Sequence, residues 1–150
     1  MMKNNIPETN KNITIDQLNA LNKNTVMESL GIDYLEARVG YVKGTMPVDA
    51  RTIQPQGTLS GGASLAFAET LGGIGSYLLV DIQNYLVVGS QLSANHVGMA
   101  VSDKVIGEAT LIHLGKKTHV WNIDIKNEDG KLVSTARLTN MIIKKKVKNE

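Results

Sequence analysis

The chain has 150 residues, 42% of them hydrophobic, a net charge of +2 and no cysteine. That length suits one domain with one core, and the lack of cysteine excludes a disulfide framework, a thiol nucleophile and a thiolate metal site. So small a charge gives no case for nucleic acid, no apolar run is long and uninterrupted enough to span a membrane, and the first dozen residues lack the apolar centre of a signal peptide. A cytoplasmic protein is the expectation.

Thr14 caps a predicted amphipathic helix over Ile15 to Lys23, with apolar residues at 15, 18 and 21. Thr25 to Leu30 adds another turn before Gly31. Tyr34 to Val48 holds Val39, Tyr41, Val42, Thr45 and Met46 around two glycines, which predicts a strand pair or one long bent strand. Asp49 to Leu59, with Pro55 and Gly57, reads as a loop. The Ala-, Leu-, Ile- and Val-rich stretch from Ser60 to Val80 predicts a long helix buried over most of its circumference. After Asp81 the period becomes two. Tyr85 to Met99, Val105 to Leu114, Thr118 to Lys126 and Lys131 to Ile143 are four predicted strands, joined at Leu114 to Lys117 and at Asn127 to Gly130 by tight turns. Short links predict antiparallel neighbours, so the fold class is α+β, an antiparallel sheet with one long helix on it. One domain covers 1–150, with its core at about 30–143 and a solvated basic tail at 144–150.

Glu69 is the only charged residue between Arg51 and Asp81. Carboxylates are seldom buried unpaired, and the residues one helical turn away, Leu65, Ala66, Gly72 and Gly73, offer no cation. Either Glu69 is kept for chemistry, with burial raising its basicity, or its oxygens bond buried backbone groups. Ser60 is an N-cap or a catalytic hydroxyl. Gln54 either donates its amide toward a substrate or orients the loop.

The segment Gln54-Pro55-Gln56-Gly57, followed by Ser60-Gly61-Gly62-Ala63-Ser64 and Ala68-Glu69-Thr70, resembles the active-site signature of hotdog-fold acyl-CoA thioesterases. The branch it is most similar to hydrolyses 4-hydroxybenzoyl-CoA and 1,4-dihydroxy-2-naphthoyl-CoA. Asn95-His96-Val97, His113-Leu114-Gly115-Lys116, His119-Val120-Trp121 and Arg137-Leu138-Thr139 extend the likeness over about 30–143. Two positions depart from the pattern. The family's His before the double glycine is Ser60, and the Ser or Thr one turn beyond the glutamate is Gly73.

The resemblance implies a sheet wrapped around one central helix and the hydrolysis of acyl-CoA thioesters, aryl-CoA above all. In that chemistry Glu69 is the nucleophile or general base. The N–H of Gly61 at a helix N-terminus polarises the thioester carbonyl, with Gln54 and Ser60 beside it. Gly62, Ser64, Gly73, Asn95, His96, His113, Leu114, Gly115, Lys116 and Lys117 then line the substrate and its coenzyme A, although Lys116 and Lys117 also read as a solvated turn. No cofactor is implied beyond the coenzyme A of the substrate. The three histidines lack metal-ligand spacing, so no metal is expected. An acyl-thioester binding protein of weak or absent turnover stays open, because of Ser60 and Gly73.

Gly61 and Glu69 stand eight positions apart, or about 12 Å along a helix at ~1.5 Å per residue. They cannot both reach one thioester carbon from one helix. Two antiparallel helices across a two-fold axis would bring Glu69 of one chain to Gly61 of the other, so a homodimer is expected, pairing into a dimer of dimers as the family does.

Overall fold

The computed structural model describes Asn10 and residues 12–146; the signal-peptide question and the end of the basic tail lie outside those residues. Its elements in chain order are α1 (Ile15–Ala20), α2 (Val26–Ser29), β1 (Asp33–Arg38), β2 (Tyr41–Pro47), α3 (Gly61–Tyr77), β3 (Tyr85–His96), β4 (Lys104–Leu114), β5 (Thr118–Asn127) and β6 (Leu132–Lys144). Thr14 caps α1 in a reciprocal box with Gln17, and Thr25 caps α2. Of the two readings for residues 34–48, the strand pair is correct: β1 and β2 form a hairpin that turns at Gly40, φ +75°.

The six strands make one antiparallel sheet in the order β1-β2-β4-β5-β6-β3. The β4-β5-β6 meander follows from short turns, including Gly130 at φ +78°. β3 departs from expectation. It does not lie beside β4; it pairs with β6 at the far edge, and the chain then crosses to place β4 next to β2. The packed structure also starts earlier than residue 30, since Leu18 and Asn22 are buried. The basic tail starts later than residue 144. Lys144 pairs with Tyr85 in the ladder, and Lys145 donates from its backbone to Asn84 and from Nζ to the carbonyl of Ile82 at 2.6 Å.

α3 lies on the sheet through Ser64, Phe67, Ala68, Leu71, Gly72 and Gly75, a stripe at helical spacing. Glycines on both layers let it come close. A Cβ at Gly107 would stand 2.5 Å from Cδ1 of Leu71 and 2.8 Å from Cε1 of Phe67, and one at Gly75 would stand 2.5 Å from Cη2 of Trp121. Leu71 and Phe67 therefore seat in a dimple in the sheet, while Trp121 seats in a dimple in the helix. Truncating such a side chain to Ala costs about 3–5 kcal/mol for an aromatic. The polar atoms at this contact are paired: Trp121 Nε1 donates to Ser76 Oγ at 2.9 Å, and Asn140 Nδ2 donates to Ser76 Oγ and to the carbonyl of Gly72.

Candidate active site

α3 buries one side on its own sheet, and Glu69 projects from the flank of that contact, exposed at the β3 edge. The burial expected from composition is not found: Glu69 is exposed in the single chain, and Leu65, Ala66 and Ile74 on the outer side are only half-buried. The helix is apolar all round, so composition could not tell which face the chain itself covers. Among the described residues no Lys, Arg or His pairs with Glu69. Its carboxylate lies across the backbone of Gly89 on β3, where a Cβ would collide with Oε1. Gly89 therefore admits Glu69, a role that sequence reading missed because a lone glycine in a strand has many uses.

Beside Glu69 opens a cavity of 490 Å³. It is lined by Val26 and Met27 of α2, Tyr34 of β1, Ala66, Glu69, Thr70, Gly73, Ile74 and Tyr77 of α3, Val87 and Gly89 of β3, and Asn140 of β6. This lies within the size range of ligand pockets. Gly73 faces open space: apart from the helix's own backbone, no atom of the described residues lies within 4 Å of a Cβ built there.

The head of α3 carries the second group of predicted residues. The first intrahelical bond runs from Ser64 N–H to the carbonyl of Ser60, so the N–H groups of Gly61, Gly62 and Ala63 have no partner within the helix. Ser60 sits at the N-cap position, φ −68° and ψ 136°, yet its hydroxyl makes no cap hydrogen bond. Of the two readings of Ser60, side-chain capping is therefore not what it does. The Ser64 hydroxyl is buried and turned back on the Ser60 carbonyl at 3.3 Å, which removes Ser64 from the ligand-facing set in this chain. Gln54 is exposed and donates from Nε2 to Thr58 Oγ1 at 2.8 Å, so its amide is tied to its own loop.

His96 was expected along the coenzyme A path with Asn95. The structure brings its ring over Gly61 instead: a Cβ at 61 would stand 2.8 Å from His96 Nε2. The other nitrogen, Nδ1, is 3.1 Å from the buried Ser134 Oγ. In the tautomer where Nδ1 accepts from Ser134, Nε2 carries a proton and faces the head of the helix. The neighbouring Asn95 is exposed on β3.

His113, Leu114, Gly115, Lys116 and Lys117 are not part of this group. They form the β4–β5 turn at the opposite end of the sheet. From Ser134, which pairs His96, to Met141, which pairs Thr118, β6 runs about 23 Å at ~3.3 Å per residue. Leu114, Gly115 and Lys116 line a separate 260 Å³ cavity with Asp81, Tyr85 and His119. His119 is buried, its Nδ1 has no partner among the described residues, and burial followed by the nearby His113 lowers its pKa from the ordinary imidazole value. One chain thus keeps three groups apart: the helix head, the glutamate, and the basic turn.

One long helix held against a six-stranded antiparallel sheet is the hotdog architecture, and here it carries a carboxylate beside a ligand-sized cavity and an N-terminus whose first N–H groups lack partners within the helix. Residues 56–134 match the thioesterase superfamily, and the chain belongs to that family as a thioester hydrolase. It is 41% identical over 133 residues to the proofreading thioesterase EntH of Klebsiella pneumoniae, covering 89% of this chain and 96% of that protein. It is 38% identical over 133 residues to the 1,4-dihydroxy-2-naphthoyl-CoA hydrolase of Escherichia coli, covering 89% and 97%. A crystal structure of a mutant of thioesterase PA1618 from Pseudomonas aeruginosa superimposes with a TM-score of 0.87 at 41% identity, over 90% of this chain and 97% of that one. No helix among the described residues is long and apolar enough to cross a membrane.

Proposed function

We propose that the protein hydrolyses aryl-CoA thioesters, such as hydroxybenzoyl-CoA or 1,4-dihydroxy-2-naphthoyl-CoA, in the cytoplasm, at sites each built by two protomers. The observation that carries this reading is Glu69 at the cavity mouth, on the same helix as an N-terminus with free N–H groups. The relative named as a 1,4-dihydroxy-2-naphthoyl-CoA hydrolase supports the substrate class.

The thioester oxygen accepts from the Gly61 N–H, helped by the positive end of α3 and by His96 Nε2–H. Glu69 then acts in one of two ways. As a base it takes a proton from water while the water oxygen bonds to the thioester carbon; as a nucleophile it forms an anhydride that water opens. The C–S bond breaks, the coenzyme A thiolate takes up a proton, and the acid leaves. These steps need no cofactor beyond the coenzyme A that the substrate brings.

Three features support a partner protomer: the roughly 12 Å of helix between Gly61 and Glu69, the uncovered outer side of α3, and β3. That strand is a twelve-residue edge with Tyr85, Leu86 and Val88 exposed. Because His96 lies at Gly61 and Gly89 lies at Glu69, antiparallel pairing of two β3 strands with His96 opposite Gly89 joins the head of one α3 to the glutamate of the other. The same pairing turns each basic Lys116–Lys117 end toward the partner's helix head, where the coenzyme A phosphates would extend. Such dimers would pair again into a dimer of dimers.

A hydrolysis panel of benzoyl-, hydroxybenzoyl-, dihydroxynaphthoyl- and aliphatic CoA esters tests the class, and Glu69→Gln tests the chemistry. The variant should lose at least ~10²-fold in turnover while still binding acyl-CoA. Turnover close to that of the parent would end the assignment of Glu69. For the composite site, chains carrying Glu69→Gln are mixed with chains carrying Gly61→Pro. Proline is accepted at the first helical position; it removes the N–H, and its Cβ also displaces His96, so both donors at the helix head are lost. Mixed dimers should regain activity, and verified mixed dimers without it would confine each site to one chain.

A further inference from the structure

The 490 Å³ cavity has one wall that comes from outside α3 and the sheet interior, and Tyr34 stands on it. β1 is an edge strand, so the Tyr34 backbone groups that face away from β2 need partners elsewhere. Asn19 of α1 supplies both: Tyr34 N–H donates to Asn19 Oδ1 at 2.7 Å, and Asn19 Nδ2 donates to the Tyr34 carbonyl at 3.1 Å. Immediately beyond, the β1–β2 ladder breaks register between Tyr34 and Glu36. A bulge of this kind re-aims the side chain beside it. The backbone of Tyr34 is thus fixed from one side by a helix and freed from strict alternation on the other.

The ring itself is buried, with 4% exposure. Its hydroxyl makes no hydrogen bond to a side chain or backbone group among the described residues, whereas the buried Trp121 and Asn140 are both paired. Desolvation pushes the phenol up to about 12, so it stays neutral and able to donate and accept. A buried phenol finds a partner in most proteins, and here the cavity is where a partner can sit.

We propose that Tyr34 determines specificity by hydrogen-bonding a polar ring substituent, a hydroxyl in the first instance, on an aromatic acyl group seated in this cavity. The inference rests on the thioesterase reading of the cavity as the place of the acyl group. Met27, Ile74 and Val87 supply the apolar surface for the ring, and Tyr34 discriminates between rings of equal size by what they carry.

The test compares benzoyl-CoA with its 2-, 3- and 4-hydroxy derivatives on the parent protein and on Tyr34→Phe. Rates are read as kcat/KM, and dissociation constants are read on the Glu69→Gln background. In the parent, at least one hydroxy isomer should exceed benzoyl-CoA by about three- to tenfold, the scale of one neutral hydrogen bond. Tyr34→Phe should erase that ratio, lowering the preferred hydroxy ester by about three- to tenfold more than benzoyl-CoA, with circular dichroism confirming that the variant is folded. Equal losses on all four esters, a preference that survives the substitution, or no preference in the parent would each overturn the proposal. If no ester is hydrolysed the aryl-CoA reading fails, and the dissociation constants still decide whether Tyr34 reads the hydroxyl.

Discussion

His96 occupies the space that a side chain at position 61 would need, 2.8 Å from Nε2 to the would-be Cβ, while Ser134 holds the far side of its ring. Gly61 and His96 are therefore one unit, although they are 35 positions apart in the chain. Gly61→Ala should displace the imidazole and lower kcat about ten- to a hundredfold with little change in stability, since alanine favours the helix. In a His96→Ala background the same methyl group should be nearly harmless. A double-mutant cycle on kcat measures this, and simple additivity would show that the two residues act independently.

Gly73→Ser should raise turnover, by up to about tenfold for one added hydrogen bond to a water at Glu69. Among the described residues nothing outside the helix's own backbone lies within 4 Å of a Cβ at 73, and serine is the better helix former by about 0.5 kcal/mol, so the melting temperature should not fall. A lower kcat with an unchanged or higher melting temperature would show that the cavity needs this space empty.

Ser60→Ala should leave thermal stability almost unchanged. The usual loss of ~1 kcal/mol for a deleted cap does not apply, because the Ser60 hydroxyl makes no cap bond. Ser60→His should alter kcat/KM less than His96→Ala does, because an imidazole already stands at the head of α3. A gain above tenfold for Ser60→His would show that His96 does not substitute for the family's histidine.

Much of this could be read from the sequence, and the failures share a cause. Period-two alternation revealed β4, β5 and β6 because each buries one face under α3, as Trp121, Ile123 and Ile125 do. The signature around Gly61 and Glu69 marked the helix and the family. What escaped were relations set by long-range packing: β3 beside β6, His96 over Gly61, and Gly89 beneath Glu69. Residue type says little about a partner brought in by a crossover. The exposure of Glu69 escaped for another reason, since an apolar helix face looks the same whether its own chain or another covers it.

Acidification should destabilise the protein before its carboxylates titrate. Burial and the neighbouring His113 lower the His119 pKa, so below about pH 6.5 the unfolded chain binds a proton that the folded chain resists. The contribution is whole above that pH and is lost as pH falls toward the folded value. Melting temperatures should drop between pH 7.5 and 5.5, with a shallower drop in His119→Gln. Parallel profiles for the two proteins would remove His119 as the cause.

The order of strands also sets a timetable. Translation delivers Tyr85–His96 early, but the strand that β3 pairs with, Leu132–Lys144, comes off the ribosome last. Until then Gly89 and His96 have no ladder to hold them, and α3 waits on a half-built bed with an unprotected edge. A chain that ends anywhere before residue 132 carries the whole Gln54–Thr70 signature but lacks the strand that β3 pairs with. The final strand, which contributes only Asn140 to the cavity lining, decides when the chemistry begins.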